Sequence, residues 1–220
     1  MFIARALPVI VGVGLLAGCS SGGTSAESAD IGKVAGVKSS FGPEFKVTDV
    51  PTTGIDPKVL AGQKLPAGLV FDPAGCAKFA AGQAMPSDLK GNMAAVTAEG
   101  AGNRFIVIAM QTSEPVPVTD PGTDCQKVGF TGGALRGAVE VVPAPQIADV
   151  QTLGVHRILQ TTINGKPQTG EIFSYLAHFG DYQVIVTVNP LVVPDKPVAP
   201  ADTKRAEGLL SSAVAAIKGS

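Results

Sequence analysis

The sequence has almost no excess charge of either sign and no cluster of basic residues. Its 17 Lys and Arg residues nearly balance 18 Asp and Glu residues, which gives a formal net charge of −1. Proteins that bind nucleic acid or lie on a membrane through a strongly basic face need a positive patch. The composition argues against both classes, and we expect no nucleic acid among the partners.

Familiar catalytic and cofactor-binding motifs are also missing from the 220 residues. The sequence contains no His-Glu-x-x-His zinc motif. It also contains no Cys-x-x-Cys pair, no Gly-x-x-x-x-Gly-Lys-Ser/Thr phosphate loop and no EF-hand calcium loop. We therefore predict no metal site and no cofactor, and we favour a protein that is not an enzyme.

The apolar run near the N-terminus is too short to cross a membrane as a helix. It covers residues 6–16, follows the cation Arg5 and leads into Leu16-Ala17-Gly18-Cys19, whereas a membrane-spanning helix needs about 20 residues. This pattern predicts a lipoprotein signal peptide at 1–18 that is cut before a lipidated Cys19. The protein would then be anchored by lipid on the extracytoplasmic side of the cell membrane. The alternative is an ordinary secretory signal whose cleavage site happens to contain a cysteine.

Cysteine is scarce, with three residues in the whole chain. If Cys19 carries lipid, Cys76 and Cys125 remain, and exported thiols tend to pair because their compartment is oxidising. We therefore predict a disulfide between Cys76 and Cys125.

Large apolar residues are rare after the lipidation motif. Residues 19–40 are dominated by Ser, Gly and Ala and are expected to form a flexible tether. The spacing of Ile31, Val34 and Val37 would also allow a turn of helix. Residues 41–220 then form a single folded domain.

The pattern within this domain predicts an α+β fold with an antiparallel sheet of about five or six strands and two or so helices. Gly180-Asp181 is a tight hairpin signal between two apolar strands. It would place Phe179 opposite Tyr182. Residues 201–218 have apolar side chains at helical spacing and predict an amphipathic C-terminal helix that packs on the sheet.

Four residues are candidates for a binding site. The strand over 150–162 and the strand that follows it would form a hairpin centred near Lys166. In that register, His156 lies diagonal to His178 on one sheet face, with Ser174 near them. Such a pair could bind a metal or respond to pH, but two unrelated strand histidines are the simpler interpretation because a one-residue slip separates them. Arg157 could be a buried cation that accepts an anion, but a side chain extending to solvent at a sheet edge is the simpler interpretation.

The order of these features resembles a known group of proteins. In the order of its features the chain is similar to small mycobacterial lipoproteins of uncharacterised function. These features are the Leu16–Cys19 motif, the tether, the helix expected at Cys76, the second cysteine at Cys125, the hairpin strands and the C-terminal helix. Those lipoproteins are in turn similar to the extracellular sensor-like domains of mycobacterial serine/threonine kinases. The resemblance implies an antiparallel sheet with packed helices, a surface cleft and a ligand-binding role. It implies no catalytic residues.

Three functions follow as hypotheses. The first is a non-enzymatic module at the cell surface that binds a small ligand or an envelope protein. The second is a carrier of apolar envelope lipids, which requires an internal cavity of several hundred Å³, on the order of a usual ligand pocket. The third is a hydrolase with an unfamiliar site around Ser174, His178 and His156.

Overall fold

The computed structural model describes residues 29–56, 64–82, 89–163, 165–193 and 197–219. These residues form one antiparallel sheet whose strands follow the order β1-β3-β4-β9-β8-β7-β6-β5-β2. The signal-peptide segment and Cys19 lie outside the described residues. The nine strands are β1 (Lys46–Gly54), β2 (Val70–Asp72), β3 (Gly91–Gly100), β4 (Asn103–Thr112), β5 (Lys127–Gly132), β6 (Leu135–Val142), β7 (Gln151–Ile163), β8 (Lys166–Phe179) and β9 (Tyr182–Pro190).

The helices of the described residues are short apart from the last one. A 3-10 helix covers Ile31–Ser40, a 3-10 turn at Ala74–Cys76 continues into α1 (Ala77–Ala80), and α2 covers Thr203–Lys218. The predicted C-terminal helix is therefore confirmed. Asp202 caps it by accepting a hydrogen bond from the Arg205 N–H at 3.0 Å. None of the helices in the described part of the chain is long and apolar enough to cross a bilayer.

The expected number of strands is wrong. The protein is still an α+β fold, but it is mostly sheet, with nine strands instead of five or six. Two strands that the sequence did not reveal are β2, with three residues, and β5, whose six residues include Gly129 and Gly132. A strand this short or this rich in glycine has little propensity of its own, so its neighbours in the sheet determine it.

The hairpin of β8 and β9 is confirmed in its register. Phe179 pairs with Tyr182 across the turn, and Gly180 has a φ of 57°, a left-handed conformation that favours glycine. Alternate side chains of the two strands share one face, and most of them are buried in one core cluster. These are Phe173, Tyr175, Ala177 and Phe179 of β8 with Tyr182, Val184, Val186 and Val188 of β9.

We call this side of the sheet the helix face, because α2 and the N-terminal 3-10 helix pack on it. The apolar side of α2, including Leu209, Leu210 and Ile217, is buried against β4, β8 and β9. The 3-10 helix lies beside α2 over β3 and β4. The helices therefore cover the half of the sheet that contains β1, β3, β4, β9 and β8.

Residues 31–40, which were expected to belong to the tether, are part of the folded domain. Ile31, Val34 and Val37 are each 3% exposed or less and belong to the core beneath α2. A 3-10 helix has three residues per turn, so a spacing of three places all three side chains on one side. The expectation of a flexible segment as far as Ser40 is wrong for this stretch.

We call the opposite side the disulfide face. It carries the 3-10 turn and α1, whose Phe79 and Ala80 pack with Val128, Phe130 and Val139 of β5 and β6. The predicted bond between Cys76 and Cys125 is present. It joins this helical segment to the loop before β5.

Candidate functional site

The predicted pair of histidines does not form. His156 pairs with Phe173 and therefore lies on the helix face, whereas His178 pairs with Gln151 and lies on the disulfide face. The cause is the turn between β7 and β8, where Ile163 pairs directly with Lys166. The expected pairing, centred near Lys166, differs from the observed register by three residues. A register shift by an odd number of residues moves every side chain of the strand to the opposite face of the sheet.

His156 has local partners that account for it. Its ring stacks on Phe173 with centroids 3.9 Å apart and planes 5° apart. Its Nε2 lies 3.0 Å from a carboxylate oxygen of Glu171. These contacts fix the orientation of the ring and explain a histidine on this strand without a ligand.

His178, Ser174 and Arg157 share the disulfide face but do not form a catalytic group. Ser174 and His178 are four residues apart on one strand, so their Cα atoms are about 13 Å apart. Ser174 is 5% exposed, and neither its Oγ nor the Nε2 of His178 has a hydrogen-bond partner within the described part of the chain. The arrangement of Ser174, His178 and His156 that a hydrolase would need is therefore not assembled.

Arg157 lies among apolar side chains on the same face. It borders a cavity of about 40 Å³ together with Phe79, Leu153 and Leu176. Burial lowers the pKa of its guanidinium. The cavity has room for little more than one water molecule, so it does not offer a site for a larger ligand.

A larger cavity lies on the helix face, beside the region that α2 covers. We call it the groove: an open depression of about 600 Å³ across β2, β5, β6 and β7. Its lining includes charged residues of β2, β5 and β6 and a floor of small or aliphatic residues. Gly129, Ala138 and Ile158 are neighbours in the strand pairing and form this floor.

One wall of the groove carries an ion pair. Lys127 of β5 lies opposite Glu140 of β6, and its Nζ is 2.7 Å from the Glu140 Oε1. The hydrogen bond from Lys127 is the main reason that the pKa of Glu140 is lowered, with a smaller contribution from His156. The sequence did not indicate this ion pair, because β5, which supplies Lys127, was not predicted.

The other wall carries an arginine that a glutamine holds in place. Arg136 of β6 lies opposite Gln160 of β7, and its Nε donates to the Gln160 Oε1 at 3.0 Å. Both residues also line a second cavity of about 370 Å³ that extends toward Gly133 and the β7–β8 hairpin. Arg136 therefore lies where the two cavities meet.

The described residues contain no cluster of three or more His, Cys, Asp or Glu residues able to hold a metal ion. The polar contacts in the groove are the ion pair of Lys127 with Glu140 and the hydrogen bond of Arg136 with Gln160. Neither Arg136 nor Gln160 was among the residues singled out from the sequence. Finding them would have required the pairing of β6 with both of its neighbours.

Comparison with known proteins places this fold in a family. The family described as a domain of unknown function, DUF5642, matches residues 30–218. The chain belongs to the DUF5642 family. The matched range begins at the cap of the N-terminal 3-10 helix and ends with the last residue of α2, so the family corresponds to the folded domain described above.

The DUF5642 domain is also similar to a solved structure of a mycobacterial protein. This is the X-ray structure of an uncharacterized protein, the Rv0999 ortholog, from Mycobacterium smegmatis. The two chains are 60% identical, with a TM-score of 0.82 over 88% of this chain and 100% of that one. No curated protein matches the chain.

Proposed function

We propose that the protein is a lipid-anchored binding module of the cell envelope and that the groove is its ligand site. The observation that carries the proposal is that the groove has charged residues on its walls and small residues on its floor. Charged groups of Lys127, Glu140 and Arg136 stand on the walls, and small residues at 129 and 138 form the floor. A concave site with a few fixed polar groups over an apolar surface is typical of ligand-binding pockets.

The proposed location depends on the N-terminal motif and is supported by the disulfide. Leu16-Ala17-Gly18-Cys19 has the form of a lipoprotein cleavage site. The bond between Cys76 and Cys125 is of a kind that persists in oxidising compartments and is rare in the cytosol. The resemblance of the sequence pattern to extracellular sensor-like domains would imply the same location and a role in binding.

Lipidation is tested at Cys19. The wild-type protein should incorporate a fatty-acid analogue that carries an alkyne and should fractionate with membranes. Cys19→Ser should abolish labelling, with its fold unchanged by circular dichroism. Equal labelling of the two proteins would refute lipidation at this residue.

The groove is tested by a substitution on its floor. Ala138→Phe places a large ring in the centre of the groove, and Val50→Phe places the same ring on the exposed edge strand β1, where Val50 is 45% exposed. We expect native mass spectrometry of wild-type protein purified from its own envelope to show a retained ligand. Ala138→Phe should lose that ligand and Val50→Phe should keep it. Retention by both variants would refute the groove as the site.

Lipid carriage is an alternative outcome of the same experiment. A lipid carrier needs an enclosed apolar cavity, whereas the groove is open and has charged groups on its walls. Organic extraction of the purified protein would distinguish the two functions. Acyl lipid in the extract of wild type, lost in Ala138→Phe, would favour a carrier over our proposal.

A further inference from the structure

The groove contains one cation without an anionic partner. The Arg136 Nε is occupied by Gln160, while the terminal nitrogens of the guanidinium have neither a carboxylate nor another hydrogen bond within the described part of the chain. Lys127, on the opposite wall, is neutralised by Glu140 at 2.7 Å. A guanidinium that is held by one nitrogen presents its remaining N–H groups as a fork suited to a carboxylate.

The groove also contains one anion without a cationic partner. Asp72, at the end of β2, lines the same groove. Its carboxylate makes no ion pair or hydrogen bond with any residue that the structure describes. One free positive charge and one free negative charge in a single groove are complementary to a ligand that carries both charges.

The strand pairing gives the separation of the two Cα atoms, and the bond from Arg136 to Gln160 of β7 directs the guanidinium away from β2. Asp72 pairs with Gly129, Gly129 pairs with Ala138, and Arg136 precedes Ala138 by two residues. Two spacings between strands of about 4.8 Å and a two-residue step of about 6.8 Å place the two Cα atoms about 12 Å apart. An extended peptide covers about 3.3 to 3.6 Å per residue, so three or four residues span this distance. A single amino acid, whose charged groups are on one carbon, cannot reach both.

We propose that the groove binds a short extended peptide of three to four residues with both of its ends charged. Its C-terminal carboxylate accepts hydrogen bonds from Arg136, and its N-terminal ammonium lies against Asp72. The backbone between them crosses the floor at Gly129 and Ala138, where small side chains leave room for it. This assignment rests on the proposed function of the groove and specifies the ligand.

Trialanine and its blocked forms test the assignment by calorimetry. Wild type should bind trialanine at least about tenfold more tightly than either trialanine amide, which lacks the carboxylate, or N-acetyl-trialanine, which lacks the ammonium, because a hydrogen bond to a charged group is worth at least that factor. Free alanine should bind more weakly than trialanine. Arg136→Gln should bind trialanine and its amide equally, and Asp72→Asn should bind trialanine and its acetylated form equally.

Matched substitutions elsewhere control for the loss of charge itself. Arg104→Gln and Asp49→Asn alter an exposed arginine and aspartate that have their own partners, Glu99 and Lys38, and both variants should bind like wild type. Equal affinities of wild type for all three peptides, or no binding of trialanine, would overturn the peptide assignment. If Ala138→Phe still lost the retained ligand, the groove would stand as a site for another compound. If it kept the ligand, the proposed function would fail as well.

Discussion

Removal of the Cys76–Cys125 disulfide should destabilise the protein by about 4 kcal/mol. The bond closes a loop with a sequence separation of 49 residues. In the chain-entropy model, opening a loop of this length raises the entropy of the unfolded chain by an amount worth about 4 kcal/mol at 25 °C. For a domain of this size the loss corresponds to a decrease in Tm of about 10 °C.

The double variant Cys76→Ala/Cys125→Ala is the suitable perturbation. Cys76 is 3% exposed in the apolar cluster with Phe79 and Phe130, so alanine keeps the site apolar and leaves a small cavity. The free energy of unfolding would be measured by circular dichroism in urea, with and without reductant. Wild type should lose stability in reductant, while the variant should not respond to it.

A loss of less than about 1 kcal/mol would contradict the reasoning. It would mean that the unfolded chain already holds these segments close together, or that the bond strains the folded state. A variant that still responded to reductant would show that the effect of reductant on wild type did not come from this bond.

Three further predictions concern single side chains. Asn103→Ala should lower the free energy of unfolding by about 2 kcal/mol, measured in urea, because the buried Asn103 amide donates to two loop carbonyls and accepts from the Asp202 N–H. Tyr175 has its pKa raised to about 12, mainly by burial. The neutral Tyr175 hydroxyl therefore contributes fully to the free energy of unfolding below pH 10, and this contribution is lost as the pH rises toward 12. Tyr175→Phe should remove that part of the pH dependence of unfolding. Lys127→Met should raise the pKa of Glu140, which the hydrogen bond from Lys127 lowers, in a carboxyl-carbon NMR titration.

The sequence predicted the elements whose signals are local. The β8–β9 hairpin follows from a turn of two residues between apolar strands, and its register was predicted correctly. The helix over Thr203–Lys218 has apolar side chains at helical spacing and a cap at Asp202. The disulfide followed from there being two cysteines after Cys19. Each of these predictions needed information from a short stretch of chain or from a count.

The sequence could not predict features that depend on distant strands. β2 becomes a strand because Val70, Phe71 and Asp72 pair with residues 129–131, and no pattern of three residues indicates this. The register of β7 against β8 depended on where the turn begins, and this decided the faces of His156 and Arg157. The groove needs β2 beside the consecutive strands β5, β6 and β7, so its walls became visible only with the sheet order.

The contact between the first and the last helix has a consequence for biosynthesis. The Asp30 N–H donates to the Ile217 carbonyl at 3.1 Å. The N-terminal and C-terminal ends of the fold are therefore in direct contact. The N-terminal 3-10 helix is synthesised before the strands, but its partner α2 is synthesised after them. Until then Ile31, Val34 and Val37 have no α2 to cover them. A stop codon before α2 would leave these side chains uncovered on a nearly finished sheet, and we expect such a truncated chain to aggregate or be degraded.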